Sequence, residues 1–238
     1  MRILIIGYGR MGRWIEKVAL EKGHEVLLKI DLDNPDQLKS DLIKKADVAF
    51  EFSTPETAAD NIKACIDAGL PVVCGTTGWT DNLPEVETYC RESGGTFLFA
   101  SNFSIGVNII FQINRWLAEV MNRFPEFRPS ISEIHHVHKK DAPSGTAVTL
   151  AGDITLKICS IKSWKNDISD DPGILSVISE RTGEVPGIHT LTYNSPLETL
   201  EITHKAHDRS VFATGAVMAA EFIKDRTGIF TMEDLLRI

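Results

Sequence analysis

The stretch "RILIIGYGRMG" constrains the fold more than any other part of the 238-residue chain. A nearly continuous apolar run ends in glycine. "GRWIEKVALEKG" follows with helical spacing and a glycine stop at Gly23. Gly7, Gly9 and Gly12, with Tyr8, Arg10 and Met11 between them, fit G-x-G-x-x-G in the strand–loop–helix setting that this motif requires. The glycines permit a tight turn and let backbone N–H groups approach a pyrophosphate, and the helix start adds partial positive charge. Asp31 ends the next apolar run, "HEVLLKID", about 20 residues on, where an acid accepts hydrogen bonds from a ribose 2′-OH. The pattern predicts a nicotinamide dinucleotide site. "LDN" follows Asp31, so a 2′-phosphate would meet a carboxylate and no guanidinium clamp. NADH is therefore favoured over NADPH.

The alternation continues through "ADVAFEFS", "PETAADNIKACIDAG", "PVVCGTTG", "LPEVETYCRESG" and "TFLFAS". Continuous apolar strands separated by amphipathic helices predict a Rossmann-like, doubly wound parallel sheet covered on both faces. In such sheets ligands bind beyond the carboxyl ends of the strands. Phe52 would pack on a flat ring there, and Gly75, Thr76 and Thr77 would supply backbone and hydroxyl contacts. After Asn102 the pattern changes. A long helical stretch, "IGVNIIFQINRWLAEVMNRF", precedes strands with open alternation: "SISEIHHVHK", "LSVISERTG", "GIHTLTYN" and "LETLEITHKA". These predict a second, α+β domain with a mixed or antiparallel sheet and one exposed face. "SVFATGAVMAAEFIKDRTGIFTMEDLL" reads as a return to helix. The expected division is 1–105 with 209–238 for the dinucleotide and 106–208 for a second domain that binds substrate.

A formal net charge of −8 argues against nucleic acid as a bulk electrostatic partner. No apolar run approaches the roughly 20 residues of a membrane helix, and no cleavage-site pattern follows the N-terminal run. Cys65, Cys74, Cys90 and Cys159 are scattered without C-x-x-C and read as reduced cysteines of a cytoplasmic protein.

"EIHHVHKKDAPSGTA", from Glu133 to Ala147, carries the densest chemistry. On a regular strand Glu133, His135, Val137 and Lys139 would share one face, with Ile134, His136, His138 and Lys140 on the other. His135 and Lys139 would then stand about 13 Å apart, converging only if the strand bends or ends. One reading is a metal site of His136, His138 and Asp141, although the two lysines would weaken it. A second is a solvated edge strand. A third is an acid–base and anion site. Ser144 would cap a helix whose first N–H groups, at Gly145 and Thr146, face a carboxylate, with Lys139 adding positive charge and a histidine supplying a proton.

"HHVHKKDAPSGTA" resembles the signature segment of the 4-hydroxy-tetrahydrodipicolinate (dihydrodipicolinate) reductase family. "GRMG", "FSTPE", "GTTG", "SNFSIGVN" and "LEITHKAHDRSVFATGA" resemble further family segments in the same order. The resemblance implies NAD(P)H-dependent reduction of a cyclic imine dicarboxylate in lysine and diaminopimelate biosynthesis. It implies catalytic roles for His135 and Lys139, and substrate contacts at His136, Gly145 and Thr146. Cofactor contacts would fall on Gly7 to Gly12, Asp31, Phe52, Gly75 to Thr77, and Ala100, Ser101, Asn102 and Phe103. Arg209 and Phe212 would lie near the nicotinamide end. It implies no metal, and a homotetramer formed through the second domain's sheet. Rival readings are another two-domain NAD(P)-dependent enzyme, such as an aspartate dehydrogenase-like one, and a non-catalytic NAD(H)-sensing protein. The glycine loop is one residue shorter than is usual in the family, and "ITLKICSIKSWKNDISDDPGI" departs from it.

Overall fold

The computed structural model describes residues 1–237. They form two compact units, residues 1–104 with the chain from Ser210 onward, and residues 105–209.

In the first unit the strands β1 (Arg2–Ile6), β2 (Glu25–Ile30), β3 (Val48–Glu51), β4 (Val72–Cys74) and β5 (Thr96–Phe99) are all parallel. Helices α1 (Arg10–Glu21), α2 (Pro55–Asp67) and α3 (Leu83–Glu92) connect them, and α6 (Ser210–Ile223) returns to the same unit. A parallel sheet with helices on both faces buries every position of its central strands. Ile3, Leu4, Ile5, Val48, Ala49, Phe50, Val72 and Val73 are accordingly all fully buried, each aliphatic side chain contributing about 1.5–3 kcal/mol. Helix α6 lies alongside α1 and buries a run of small residues, Ala213, Gly215, Ala216, Ala219 and Ala220. A Cβ on Gly215 would run into the Phe103 carbonyl, so close helix–loop packing needs glycine there.

The last segment is not wholly helical. Gly228–Phe230 forms a further strand, β11, pairing with β5 at the sheet edge and giving the order β11-β5-β4-β3-β1-β2. Three residues are too few to show period-two alternation. A short helix follows, α7 (Met232–Leu236), closed by a capping box between Thr231 and Asp234.

The second unit begins with α4 (Ile105–Met121), followed by β6 (Arg128–His135), α5 (Gly145–Lys157), β7 (Ser163–Lys165), β8 (Ile174–Arg181), β9 (Ile188–Asn194) and β10 (Thr199–Lys205). The sheet order is β10-β9-β6-β8-β7, with β6, β7 and β8 parallel and β9 antiparallel to both neighbours, β6 and β10. Helices α4 and α5 cover one face: Val107, Ile110, Phe111, Leu150 and Ile154 pack with Ile131, Val177, Leu191 and Tyr193. The opposite face stays open, as strict alternation requires, and β7 was not legible as a strand.

Candidate active site

Five loops gather at the carboxyl edge of the first unit's sheet. After β1, Gly7 takes φ +87°, and a Cβ there would collide with the Phe52 carbonyl. Gly9 is the N-cap of α1, and open space surrounds the place of its missing Cβ. Gly12, in the first turn with Arg10 and Met11, backs directly onto the Gly7 carbonyl. Tyr8 is half-buried; its hydroxyl donates to Glu16, and Lys29 and Arg13 lie over its ring at 4.6 and 5.3 Å. Asp31 follows β2 directly and is exposed, with its Oδ1 accepting from Leu32 N at 3.0 Å. Phe52 follows β3, its ring pressed against Gly75 and 5.7 Å from that of Phe103. Thr76 is buried, with no partner for its hydroxyl among the described residues, and Thr77 beside it is exposed. Ala100, Ser101, Asn102 and Phe103 follow β5, with Asn102 Oδ1 accepting from Ser104 N at 2.9 Å. Phe212, on α6, is partly buried.

A cavity of about 270 Å³ opens between the loops after β1, β2 and β3, lined by Gly7, Gly9, Asp31, Phe52 and, beyond the sequence reading, Leu38 and Asn61. This donor set fits a dinucleotide. The glycine backbone is open where a pyrophosphate needs close approach, a carboxylate stands at the end of β2, and the cavity wall is apolar.

The second unit carries a separate polar cluster. On β6 the buried side chains alternate: Ile131, Glu133, His135. The first belongs to the apolar layer under α4 and α5; the next two turn that layer polar at its end. His189 on β9 lies directly opposite Glu133, and Arg181 on β8 opposite His135. His135 Nε2 lies 3.2 Å from His189 Nε2 and 3.4 Å from Glu133 Oε2. Ser144 Oγ is 3.2 Å from His189 Nε2 and accepts from Ala147 N at 3.2 Å, so it caps α5 as its sequence position predicts. Burial alone would push the Glu133 carboxyl up. Hydrogen bonds from His135, Ser144, Ser179 and Arg181 outweigh it and hold the group well below the usual carboxylate range. His189 is pushed down to about 3, first by burial and then by the charge of His135.

The strand expected over 130–139 stops at His135. Thr182 N donates to the His135 carbonyl at 2.8 Å, and the chain then turns, with Lys139 N donating to the His136 carbonyl at 3.1 Å. The turn replaces the extended 13 Å spacing, and His136, next after the buried His135, is only partly buried. His136 Nε2 is 3.0 Å from Arg209 Nη2. Burial first, and then that guanidinium, lower its basicity. Lys139 is ion-paired with Asp141 at 2.7 Å. Gly145 is exposed and Thr146 partly buried in the first turn of α5.

The imagined ligands His136, His138 and Asp141 do not form one cluster: His138 faces Glu184 at 3.3 Å, and Asp141 holds Lys139. Glu133, His135 and His189 instead bring their donor atoms together. Their spacings of 3.2, 3.4 and 3.7 Å come near the roughly 3.3 Å edge of a zinc tetrahedron. The surroundings suit a proton better. Arg181 already holds Glu133, and the buried His189 Nδ1 has no partner among the described residues, whereas a metal-bound histidine donates its other N–H. Glu133, His189 and Arg181 had no assigned role in the sequence reading. The signal that could have found Glu133 is its shared strand face with His135.

Two family models divide the chain: dihydrodipicolinate reductase, N-terminus, over residues 1–103, and dihydrodipicolinate reductase, C-terminus, over residues 106–236. The chain belongs to the dihydrodipicolinate reductase family. It is 44% identical over 236 residues to the 4-hydroxy-tetrahydrodipicolinate reductase of Christiangramia forsetii, covering 99% of this chain and 98% of that one. It is 34% identical over 229 residues to the enzyme of the same name from Neisseria meningitidis serogroup C, covering 93% and 83%. Among solved structures, dipicolinate-bound dihydrodipicolinate reductase from Paenisporosarcina sp. TG-14 shares the fold, with a TM-score of 0.76, 20% identity and 97% of each chain covered. The three free buried cysteines, Cys65, Cys74 and Cys90, fit the expected structural role, whereas Cys159 is exposed. Among the described residues no helix is long and apolar enough to cross a membrane.

Proposed function

We propose that this family member reduces 4-hydroxy-tetrahydrodipicolinate, a cyclic imine dicarboxylate, to tetrahydrodipicolinate. The observation that carries the reading is the buried His135, held by Glu133 and His189 beside the Ser144-capped start of α5, in a chain matched end to end by the family. A bound reduced nicotinamide supplies the hydride. His135 supplies the proton that completes the reduction, and the substrate's 4-hydroxyl leaves as water. Gly145 and Thr146 donate backbone N–H groups toward a carboxylate, where the helix dipole favours negative charge. His136 contacts the same carboxylates, and Lys139, balanced by Asp141 at rest, adds a cation that a dicarboxylate can recruit. Orientation of the two reactants is the larger catalytic term; the proton donor contributes about 10²–10⁴-fold.

Residues 1–105 with 209–238 are the cofactor domain and 106–208 the substrate domain, with Arg209 and Phe212 near the nicotinamide end. NADH is the preferred cofactor. Asp31 is exposed and followed by no arginine, and Lys29, two residues before it, is engaged by Glu16 at 3.0 Å. The enzyme works in the cytoplasm as a homotetramer built on the second unit's open sheet face.

The test is loss of reduced-cofactor absorbance with freshly generated 4-hydroxy-tetrahydrodipicolinate and each cofactor. Turnover is expected, with kcat/KM higher for NADH. His135→Ala and Lys139→Ala should mainly lower kcat, and Lys139→Ala should also raise the substrate KM. Tight NADH binding without turnover would overturn the reading, and wild-type kinetics in both variants would overturn the residue roles.

A further inference from the structure

We propose that Glu133 is the positioning residue of the site, a single carboxylate that aligns the proton-donating His135 and also sets the loop that carries the substrate-binding groups. The inference rests on the proposed reaction. Glu133 is 1% exposed, too enclosed to touch a substrate, so whatever it does passes through its neighbours.

Four of those neighbours matter. Both carboxylate oxygens accept from Ser144 N, at 3.0 and 3.1 Å. That amide belongs to the residue that caps α5, so the bond fixes where the helix starts. Oε1 also accepts from Arg181 Nη2 at 2.9 Å, and the same nitrogen reaches the Asp141 carbonyl at 2.6 Å. Oε2 stands 3.4 Å from His135 Nε2 and 3.7 Å from His189 Nε2. The loop over residues 136–143 therefore leaves β6 two residues after Glu133 and is tied back to Glu133 where it ends. His136, Lys139 and Asp141 all lie between those two points. The His135 ring packs close against Gly187, where a Cβ would come within 3.0 Å of its Cε1.

Burying a carboxylate at the end of an apolar layer is costly unless every oxygen is used, and here each has at least two donors facing it. A fully used network of this kind is rigid, which is what a site needs if its donors are to stay aligned between turnovers. Aspartate is one methylene too short to reach Ser144 N and Arg181 from the same strand position. Glutamine keeps the length and one acceptor but removes the charge.

Glu133→Gln, Glu133→Ala and Arg181→Met are compared with wild type for kcat, substrate KM and the calorimetric Kd of pyridine-2,6-dicarboxylate, a stable planar dicarboxylate. NADH Kd serves as a readout of the other unit. Glu133→Gln should lower kcat by about 10²-fold, the order expected for a misaligned reacting group, and raise the analogue Kd several-fold. Glu133→Ala should lose more of both, so glutamine partly rescues it, and Arg181→Met should raise KM and the analogue Kd more than it lowers kcat. NADH Kd should stay within twofold in all three. Wild-type kcat and analogue Kd in Glu133→Gln would overturn the inference. So would losses in that variant that vanish on assay well below its melting temperature, since those would come from stability alone. A wild-type chain that does not reduce the substrate would overturn the proposed function instead.

Discussion

His189 shows how much a single residue in this cluster fixes. It is buried, and its folded pKa of about 3 lies far below the ordinary histidine value of about 6.5. Between those values the unfolded chain binds a proton that the folded chain refuses, so stability rises with pH through this window. His204, opposite it on β10, is shifted the same way by burial. Glu133 acts with the opposite charge type but the same slope. Its stabilising contribution is complete above the unfolded carboxyl value of about 4.3 and is lost only as pH falls further. Urea unfolding between pH 5 and 7 therefore isolates the histidines. The wild-type chain should lose up to about 1.4 kcal/mol per pH unit for each such histidine on acidification, and His189→Asn should show a shallower dependence. Parallel lines for the two proteins would mean His189 is not buried neutral. The residue-level chemistry was only partly legible beforehand. His135, Lys139 and Ser144 stood out because they occupy one short dense segment. His189 and Arg181 lie about 50 residues away on strands that look like any half-exposed strand, and only sheet register brings them to Glu133.

At the scale of elements, the glycine loop separates two roles that one motif merges. Gly7 is held at φ +87° with the Phe52 carbonyl behind it, whereas Gly9 has an ordinary φ of −79° and open space in front of it. Gly7→Ala should cost about 1–3 kcal/mol of stability through backbone strain and weaken NADH binding. Gly9→Ala should leave the melting temperature unchanged and still raise the NADH Kd at least tenfold, because its methyl group occupies the approach that a pyrophosphate needs. Isothermal titration and thermal melts distinguish the two. Unchanged NADH affinity in Gly9→Ala would remove that residue from the cofactor site. The strand–helix alternation of the first unit was legible because burial on both sheet faces leaves long apolar runs. β7 and β11 were not, since three residues carry no period. The end of β6 was mislocated for a different reason. The polar alternation continues past His135, and the strand stops because the chain turns back toward Arg181 and Ser144, a tertiary demand that local pattern cannot express.

At the scale of the whole molecule, the second unit's sheet raises the question of assembly. Its covered face meets α4 and α5. Register places Ile134, Ile178, Ile188 and Thr190 together on the other face, away from the α4 and α5 layer of this unit. Ile178 is 42% exposed, and Thr190 pairs its hydroxyl with Thr203 across the strands at 3.0 Å. A half-apolar sheet face of this kind gains by meeting a copy of itself, since an isologous contact needs one patch to be self-complementary and removes aliphatic surface from water. Two such contacts with different axes give the proposed tetramer. Light scattering should give four times the 26.4 kDa chain mass, and Ile178→Asp, which puts a charge within the patch, should shift the protein to smaller species. Ile178 lies outside the Glu133 cluster, so cofactor affinity should persist in the variant and distinguish disassembly from unfolding. A monodisperse monomer in the wild type would remove the tetramer. A variant that stays tetrameric would move the interface off this face and leave the exposed isoleucines to be explained by something else.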